Sequence, residues 1–481
     1  MIPPNKGAER QCTPPKEPCP QIRIDGEDFE NGWNSNSLPS LYAINPFAMR
    51  DVWNTEELGR LDKCHVWHPF TPNQEWCLSD YEPLVLVRGE GAMLEDSHGR
   101  RYLDGNSSIW TNIHGHAHPT INRALREQLD RVAHVSFLGS TNPPAIELAA
   151  RLTSLFPPQT LSRVFFSDDG STAVEAAMKM AIQFHLQSGS PHRSRFIAFD
   201  NAYHGDTLGA ANLGGIGTFQ KRIAGHHFPV THISDLAPLG DILKKGDVAA
   251  LIIEPLIQGA AGLRIWPQGL LRDLRKLCDE ADVFLILDEV MTGFGRTGTM
   301  FACEQEDVIP DFLCLAKGLT GGYLPLAATL TTERVFSAFG GAFEEQKTFY
   351  YGHSYSGNPL GCSAALASLD VFREEKVLEN LQPKITHLRN QIAAFASHPS
   401  VYEVRQCGFI AGIEVRQPDG TPFPWQQRTG AKICMAARRH GLLTRPILDT
   451  LVFMPPLCTT TAQIDEGLQA LHTAITETLA C

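Results

Sequence analysis

Between residues 120 and 375, five short apolar runs alternate with helix-patterned segments: RVFFS (163–167), RFIAF (195–199), VAALIIEP (248–255), VFLILDE (283–289) and DFLCLAKG (311–318). Runs of this length with few interleaved polar residues suit strands buried on both faces. Their alternation with helices predicts an α/β domain around a mostly parallel sheet. Ligands of such sheets bind at the carboxyl ends of the strands, so chemistry is sought where these runs stop.

The flanks read differently. Residues 1–60 are rich in Pro, Asn and acids without a sustained hydrophobic period and form an N-terminal extension. From 84 to 104 apolar and polar residues alternate around turns at Gly89-Glu90-Gly91 and Ser97-His98-Gly99, the pattern of a small antiparallel meander. After 375 the order is helix (374–395), strands (401–415) and helices again. The expected organisation is therefore an extension (1–60), the first part of a small α+β domain (61–119), a large domain (120–375) and the second part of the small domain (376–481). The smaller domain is thus built from both chain ends.

With a net charge of -12, the chain lacks the clustered cations that nucleic acid or an anionic membrane demands, and a small-molecule ligand is expected instead. Its 12 cysteines contain no CxxC pair, and reduced thiols are expected in a chain of this size. The first 20 residues lack the apolar core of a signal peptide, and no uncharged apolar stretch reaches 18 residues. The expected location is cytoplasmic.

Two strand ends carry the chemistry. VFLILDEV brings Asp288 to the end of one strand, and LCLAKGLTGG brings Lys317 to the end of another. Burial beside an apolar sheet lowers a lysine pKa and yields the neutral amine that condenses with a carbonyl. A carboxylate facing a pyridine nitrogen keeps that nitrogen protonated, so the ring accepts electrons when a Cα proton leaves. The spacing alone equally allows Asp288 to cap a turn and Lys317 to be a solvated charge. In VFFSDDGSTAVEAAMKMA a strand, a turn at Gly170-Ser171-Thr172 and a helix follow one another, and free amides at a helix start attract phosphate. Tyr203 and His204 in NAYHGDT sit on a turn after a strand, where an aromatic ring can cover a flat cofactor. Ser354 in GHSYSGNPL precedes another helix start as a second phosphate candidate. Each of these also reads as an ordinary cap or turn. A nicotinamide-dependent dehydrogenase would be α/β too, but the glycines at 214, 215 and 217 lack the full nucleotide fingerprint and a strand lead-in.

Taken together, EPLIQGAAG around Glu254, LDEVMTGFGRTG, AKGLTGGYLPLAA and GHSYSGNPL resemble the class III aminotransferases of PLP fold type I. The resemblance runs over residues 65–460 and includes the step from Asp288 to Lys317. It implies pyridoxal 5'-phosphate as cofactor, with Lys317 joined to it as a Schiff base, Asp288 on the pyridine nitrogen, Tyr203 stacked on the ring, and Gly170 and Ser171 on the phosphate. It further implies a homodimer in which Gly352, His353 and Ser354 reach the neighbouring subunit's site, and an Arg445 that grips a substrate carboxylate. Phe70, Ile109, Trp110 and Tyr203 are the remaining expected substrate contacts, and Glu254 organises the site. Members using S-adenosylmethionine as amino donor commonly carry Trp-Trp after the paired serines and Tyr in HPYT. Here Ile109, followed by Trp110, and Phe70 stand in those places. Losing an aromatic face weakens a sulfonium site, and a related branch uses lysine as donor. His114, His116 and His118 are expected to shape the cofactor pocket and not to bind metal.

Overall fold

A computed structural model describes residues 54–78, 81–221, 225 and 228–479. Most of the expected N-terminal extension, residues 1–53, lies outside the described residues. The chain divides into an N-terminal unit, residues 1–87 with 96–99, and a second unit of residues 88–95 and 100–481.

In the N-terminal unit the helix Thr55–His65 begins inside the stretch whose hydrophobic period was absent. It forms without one because Asn54 caps it through the Glu57 amide, and its charges, Glu56 and Glu57 early, Lys63 and His65 late, complement the helix dipole. Asp62 accepts hydrogen bonds from the His68 Nε2 at 2.8 Å and the Trp76 Nε1 at 2.7 Å. Phe70 belongs to this unit, exposed and with a φ of 52°.

The second unit is built on a seven-stranded sheet in the order Leu161–Ser167, Ala327–Thr332, Phe312–Leu315, Phe284–Asp288, Val248–Ile253, Arg195–Phe199 and Val230–Ile233. Every pairing from Phe312–Leu315 to Val230–Ile233 is parallel, and only Ala327–Thr332 runs against its neighbours. The three central strands are buried at every residue, which explains why they read as unbroken apolar runs. The helix Gly170–Gln187 packs small side chains, Ala173, Val174, Ala176, Ala177 and Ala181, against the sheet, and Thr329 Oγ1 bonds back to its Ala173 carbonyl at 2.8 Å.

Among the described residues there are three smaller sheets, two of them four-stranded. Arg101–Asp104 pairs antiparallel with Met93–Asp96 and parallel with Leu442–Leu443, so residues from both ends of the chain share one sheet. The strands Val401–Cys407, Ile410–Val415, Thr450–Phe453 and Pro446–Ile447 form an antiparallel sheet, preceded by the helix Val377–Ala393 and followed by Thr461–Leu479. The architecture is α/β, around a mostly parallel sheet. Among the described residues no helix is long and apolar enough to cross a membrane.

Candidate active site

Asp288 and Cys314 are partners across two neighbouring parallel strands, and Lys317 follows Cys314 by three residues. Both functional side chains therefore leave the sheet at the same edge, where the strands' carboxyl ends open into a cavity of about 380 Å³. Gly170, Ser171, Tyr203, Asp288 and Lys317 all line it, together with Trp110, Glu254, Val290 and Tyr323.

Lys317 begins a short 3-10 turn, Lys317–Thr320, and has a φ of 43°, a conformation that costs a non-glycine residue energy and turns the chain sharply out of its strand. Its amine has no hydrogen-bond or ion-pair partner among the described residues; the Trp110 ring centroid lies 4.9 Å from Nζ. Burial lowers its pKa, opposed by Asp288 and Glu254 and assisted by Arg296. An unpaired lysine of this kind is a nucleophile held toward its neutral form.

Asp288 is buried and accepts hydrogen bonds from His204 Nδ1 at 2.8 Å and from the Val290 amide at 3.1 Å. The sequence placed His204 with Tyr203 on the turn after a strand, but not its bond to Asp288. Glu254 accepts the Tyr203 amide at 3.1 Å and the Gly259 amide at 2.8 Å. Burial pushes its pKa up to about 7; Asp288 acts in the same sense, while His204 and the two amides oppose it. The Tyr203 hydroxyl donates to Asp206 at 2.6 Å, and burial raises its pKa first, with Asp206 adding to the rise.

The helix Gly170–Gln187 is closed at its start by a capping box, in which Asp169 accepts the Thr172 amide and Thr172 Oγ1 faces the Asp169 amide. The Gly170 and Ser171 amides have no partner among the described residues, so two donors and the positive helix end remain for an anion. The surroundings leave no room for larger residues: a Cβ on Gly170 would stand 2.6 Å from Val290 Cγ1, and one on Gly205 2.3 Å from Ser171 Oγ. An unpaired amine, a buried carboxylate, an aromatic ring and free helix-start amides around one cavity are the groups that pyridoxal phosphate requires, and the residues fit it.

Other expected residues lie apart from this wall. Ile109 is exposed, although its neighbour Trp110 lines the cavity. Gly352 and Ser354 are exposed, and His353 is tied to the cavity's edge through Nδ1, 2.8 Å from Asp168 Oδ2. Asn358, not Ser354, caps the helix Pro359–Glu374. Arg445 is exposed, makes no hydrogen bond or ion pair among the described residues, and does not line the cavity around Lys317. The three histidines diverge: His114 bonds Ser368, His116 bonds Asp104 and His118 bonds Glu375. Arg296, fully buried, donates to the Asn112 and Pro455 carbonyls and was legible only as part of a glycine-rich run.

The family model for aminotransferase class III matches residues 78–475. The adenosylmethionine-8-amino-7-oxononanoate aminotransferase of Nitratidesulfovibrio vulgaris is 48% identical over 88% of this chain and 82% of its own. That of Geobacter sulfurreducens is 45% identical over 88% of this chain and 98% of its own. The crystal structure of the enzyme of that name from Methanocaldococcus jannaschii superposes with a TM-score of 0.84 at 40% identity, covering 88% of this chain and 99% of that one. An (S)-enantioselective omega-transaminase from Thermomicrobium roseum superposes equally well, TM-score 0.84, at 33% identity over 89% of this chain and 100% of its own.

Proposed function

From the premise that the chain belongs to the class III aminotransferases, we propose that it transaminates 8-amino-7-oxononanoate to 7,8-diaminononanoate in biotin biosynthesis, the reaction of adenosylmethionine-8-amino-7-oxononanoate aminotransferase (EC 2.6.1.62). The amino donor in this reading is S-adenosylmethionine or lysine. The names of the near-full-length relatives support the acceptor. The observation that carries the chemistry is the unpaired Lys317 amine beside Asp288 at the strand ends.

Pyridoxal phosphate supplies an aldehyde that condenses with amines and a ring that takes up the electron pair left by a departing Cα proton. The chain's residues do the rest. The Gly170 and Ser171 amides hold the phosphate, Tyr203 covers the ring, and Asp288, oriented by His204, keeps the ring nitrogen protonated. Lys317 Nζ would anchor the cofactor through its aldehyde carbon and, once freed, would hold the proton taken from the substrate carbon and deliver it to that aldehyde carbon. Glu254 fixes the Tyr203 and Gly259 backbones and so the shape of the wall.

The acceptor has its carboxylate at the far end of a methylene chain from its reacting carbonyl. An arginine that grips this carboxylate belongs away from Lys317, and the exposed, unpaired Arg445 suits that task while an apolar channel takes the methylenes. Phe70 and Ile109 complete the proposed substrate contacts. A homodimer in which Gly352, His353 and Ser354 serve the neighbouring phosphate site, and a cytoplasmic location, belong to the same reading.

Mixing the purified holoenzyme with S-adenosylmethionine or lysine, and watching the cofactor absorbance pass to that of the amine form, tests the donor half. Adding 8-amino-7-oxononanoate should then restore the starting spectrum and yield 7,8-diaminononanoate. Turnover of ornithine, 4-aminobutyrate or a diamine with no reaction of this acceptor would replace the assignment by the second reading, another class III ω-amine enzyme, to which the T. roseum structure is the solved counterpart.

A further inference from the structure

Between the strand Arg101–Asp104 and Asn112 the chain makes a turn that L-residues rarely adopt. Ser107, Ser108, Ile109 and Trp110 have φ values of 45°, 49°, 67° and 67°, and none of them is glycine. In this left-handed region each Cβ crowds the following carbonyl oxygen, so four such residues in succession need something outside the turn to hold them.

Asp104 supplies that hold. Its carboxylate is buried; Oδ1 accepts the Ser108 amide at 3.0 Å, and Oδ2 accepts Ser108 Oγ and His116 Nε2, each at 2.9 Å. On the far side of the imidazole, Nδ1 lies 3.0 Å from Asn112 Nδ2, while Asn112 Oδ1 accepts the Gly115 amide at 2.8 Å. With its oxygen so used, the Asn112 amide nitrogen donates to Nδ1, and the imidazole proton sits on Nε2 and points at Asp104. Asn112, His116, Asp104 and Ser108 thus form one chain of donors ending on the carboxylate from both sides. Gly322 closes the turn from below, where a Cβ would stand 2.8 Å from the Thr111 and Asn112 backbones.

The turn delivers Trp110 and Thr111 to the cavity wall and sets the Trp110 ring against the Lys317 amine. We propose that Asp104 is a positioning residue: by clamping the left-handed turn Ser107–Trp110 it fixes the Trp110 ring over Lys317 and so shapes the pocket that receives the amino donor. The link to the donor rests on the functional reading above; the placement of Trp110 does not.

The test uses the full chain with 5-fluorotryptophan at its seven tryptophans, the Trp110 fluorine signal being identified with Trp110→Phe. In cofactor-free Asp104→Asn the Trp110 signal should move or split while the other six hold. In the holoenzyme KM for the amino donor should rise about tenfold with kcat held within about twofold, the pattern of lost binding and not of lost chemistry. Adding Ser108→Gly to Asp104→Asn should recover most of that KM, because glycine enters the left-handed region freely. An unmoved Trp110 signal, movement of all seven, or equal losses in kcat and kcat/KM without rescue by Ser108→Gly would each overturn the proposal. If Asp104→Asn does not fold, Ser108→Ala, which removes one bond from the clamp, should give the same Trp110 shift at smaller amplitude, and no shift would overturn it. A moved Trp110 signal in a protein that turns over no amine would leave the clamp standing and sink the functional reading instead.

Discussion

His204 Nδ1 stands 2.8 Å from Asp288 Oδ2, both side chains being buried, while His204 Nε2 has no partner among the described residues. The carboxylate thereby accepts a fixed N–H and remains an acceptor toward the cavity, which is what a protonated ring nitrogen needs opposite it. Asp288→Asn removes the charge and places an amide where His204 donates. Pyridoxal phosphate should bind more weakly, and the proton-transfer step should slow by about 10²-fold or more, the usual worth of a tuned proton-transfer arrangement. Spectrophotometric cofactor titration and stopped-flow half-reactions measure both, and unchanged values would remove Asp288 from its role.

Lys317→Ala should leave folding intact, since the amine it deletes has no hydrogen bond or ion pair to lose among the described residues, and its removal relieves a buried cation. Borohydride reduction of the cofactor-loaded wild type should leave a stable adduct on the peptide containing residue 317, absent in the variant. Donor-driven turnover should fall by at least about 10³-fold, because anchor and proton carrier vanish together. Adduct formation at another lysine, or retained turnover, would refute the assignment.

How far the sequence disclosed this site follows from which signals are local. Strands buried on both faces announced themselves as apolar runs, and RFIAF matches the strand Arg195–Phe199 residue for residue. Ala327–Thr332 stayed hidden because three of its six residues are threonine, and burial is possible only where a hydroxyl finds a carbonyl, as Thr329 does at Ala173 and Thr331 at Asp311. Lys317, as a lone charge, and Asp288 were visible at the ends of such runs. His204 stood beside Tyr203 on its turn, but its pairing with Asp288 was not legible, because it forms only when a strand 84 residues away brings Asp288 against it. The turn at Ser107–Trp110 was invisible for the opposite reason: SSIW contains no glycine or asparagine to mark a left-handed backbone, and its support comes from Asp104 and His116 on either side.

Gly205 has a φ of 126°, and a Cβ there would fall 2.3 Å from Ser171 Oγ and 2.8 Å from Ser171 Cα. Gly205→Ala must therefore displace the start of the helix Gly170–Gln187, whose free amides are the proposed phosphate site. The expected result is a dissociation constant for pyridoxal phosphate raised by about ten- to a hundredfold, equivalent to about 1.4–3 kcal/mol. Binding of pyridoxal, which lacks the phosphate, should change much less. An equal effect on both ligands would place the damage elsewhere than at the helix start.

Glu254 and Glu289 are both buried carboxyls raised from 4.5 to about 7, each chiefly by burial. Between those two pH values the folded chain binds protons that the unfolded chain has released. Their joint contribution is therefore neutral below about 4.5, becomes destabilising as pH climbs, and levels off above about 7. Lys317 acts in the opposite sense, a lowered lysine pKa adding stability as pH rises from that depressed value toward 10.5. Glu254→Gln keeps the size and one acceptor for the Tyr203 or Gly259 amide but never has to bury a charge. In urea unfolding of the cofactor-free protein, the stability of Glu254→Gln relative to wild type should rise between pH 4.5 and 7 by about 1–3 kcal/mol and then stay flat. A difference independent of pH would mean that Glu254 is ionised throughout this range, and that the amides of Tyr203 and Gly259 outweigh the cost of its burial.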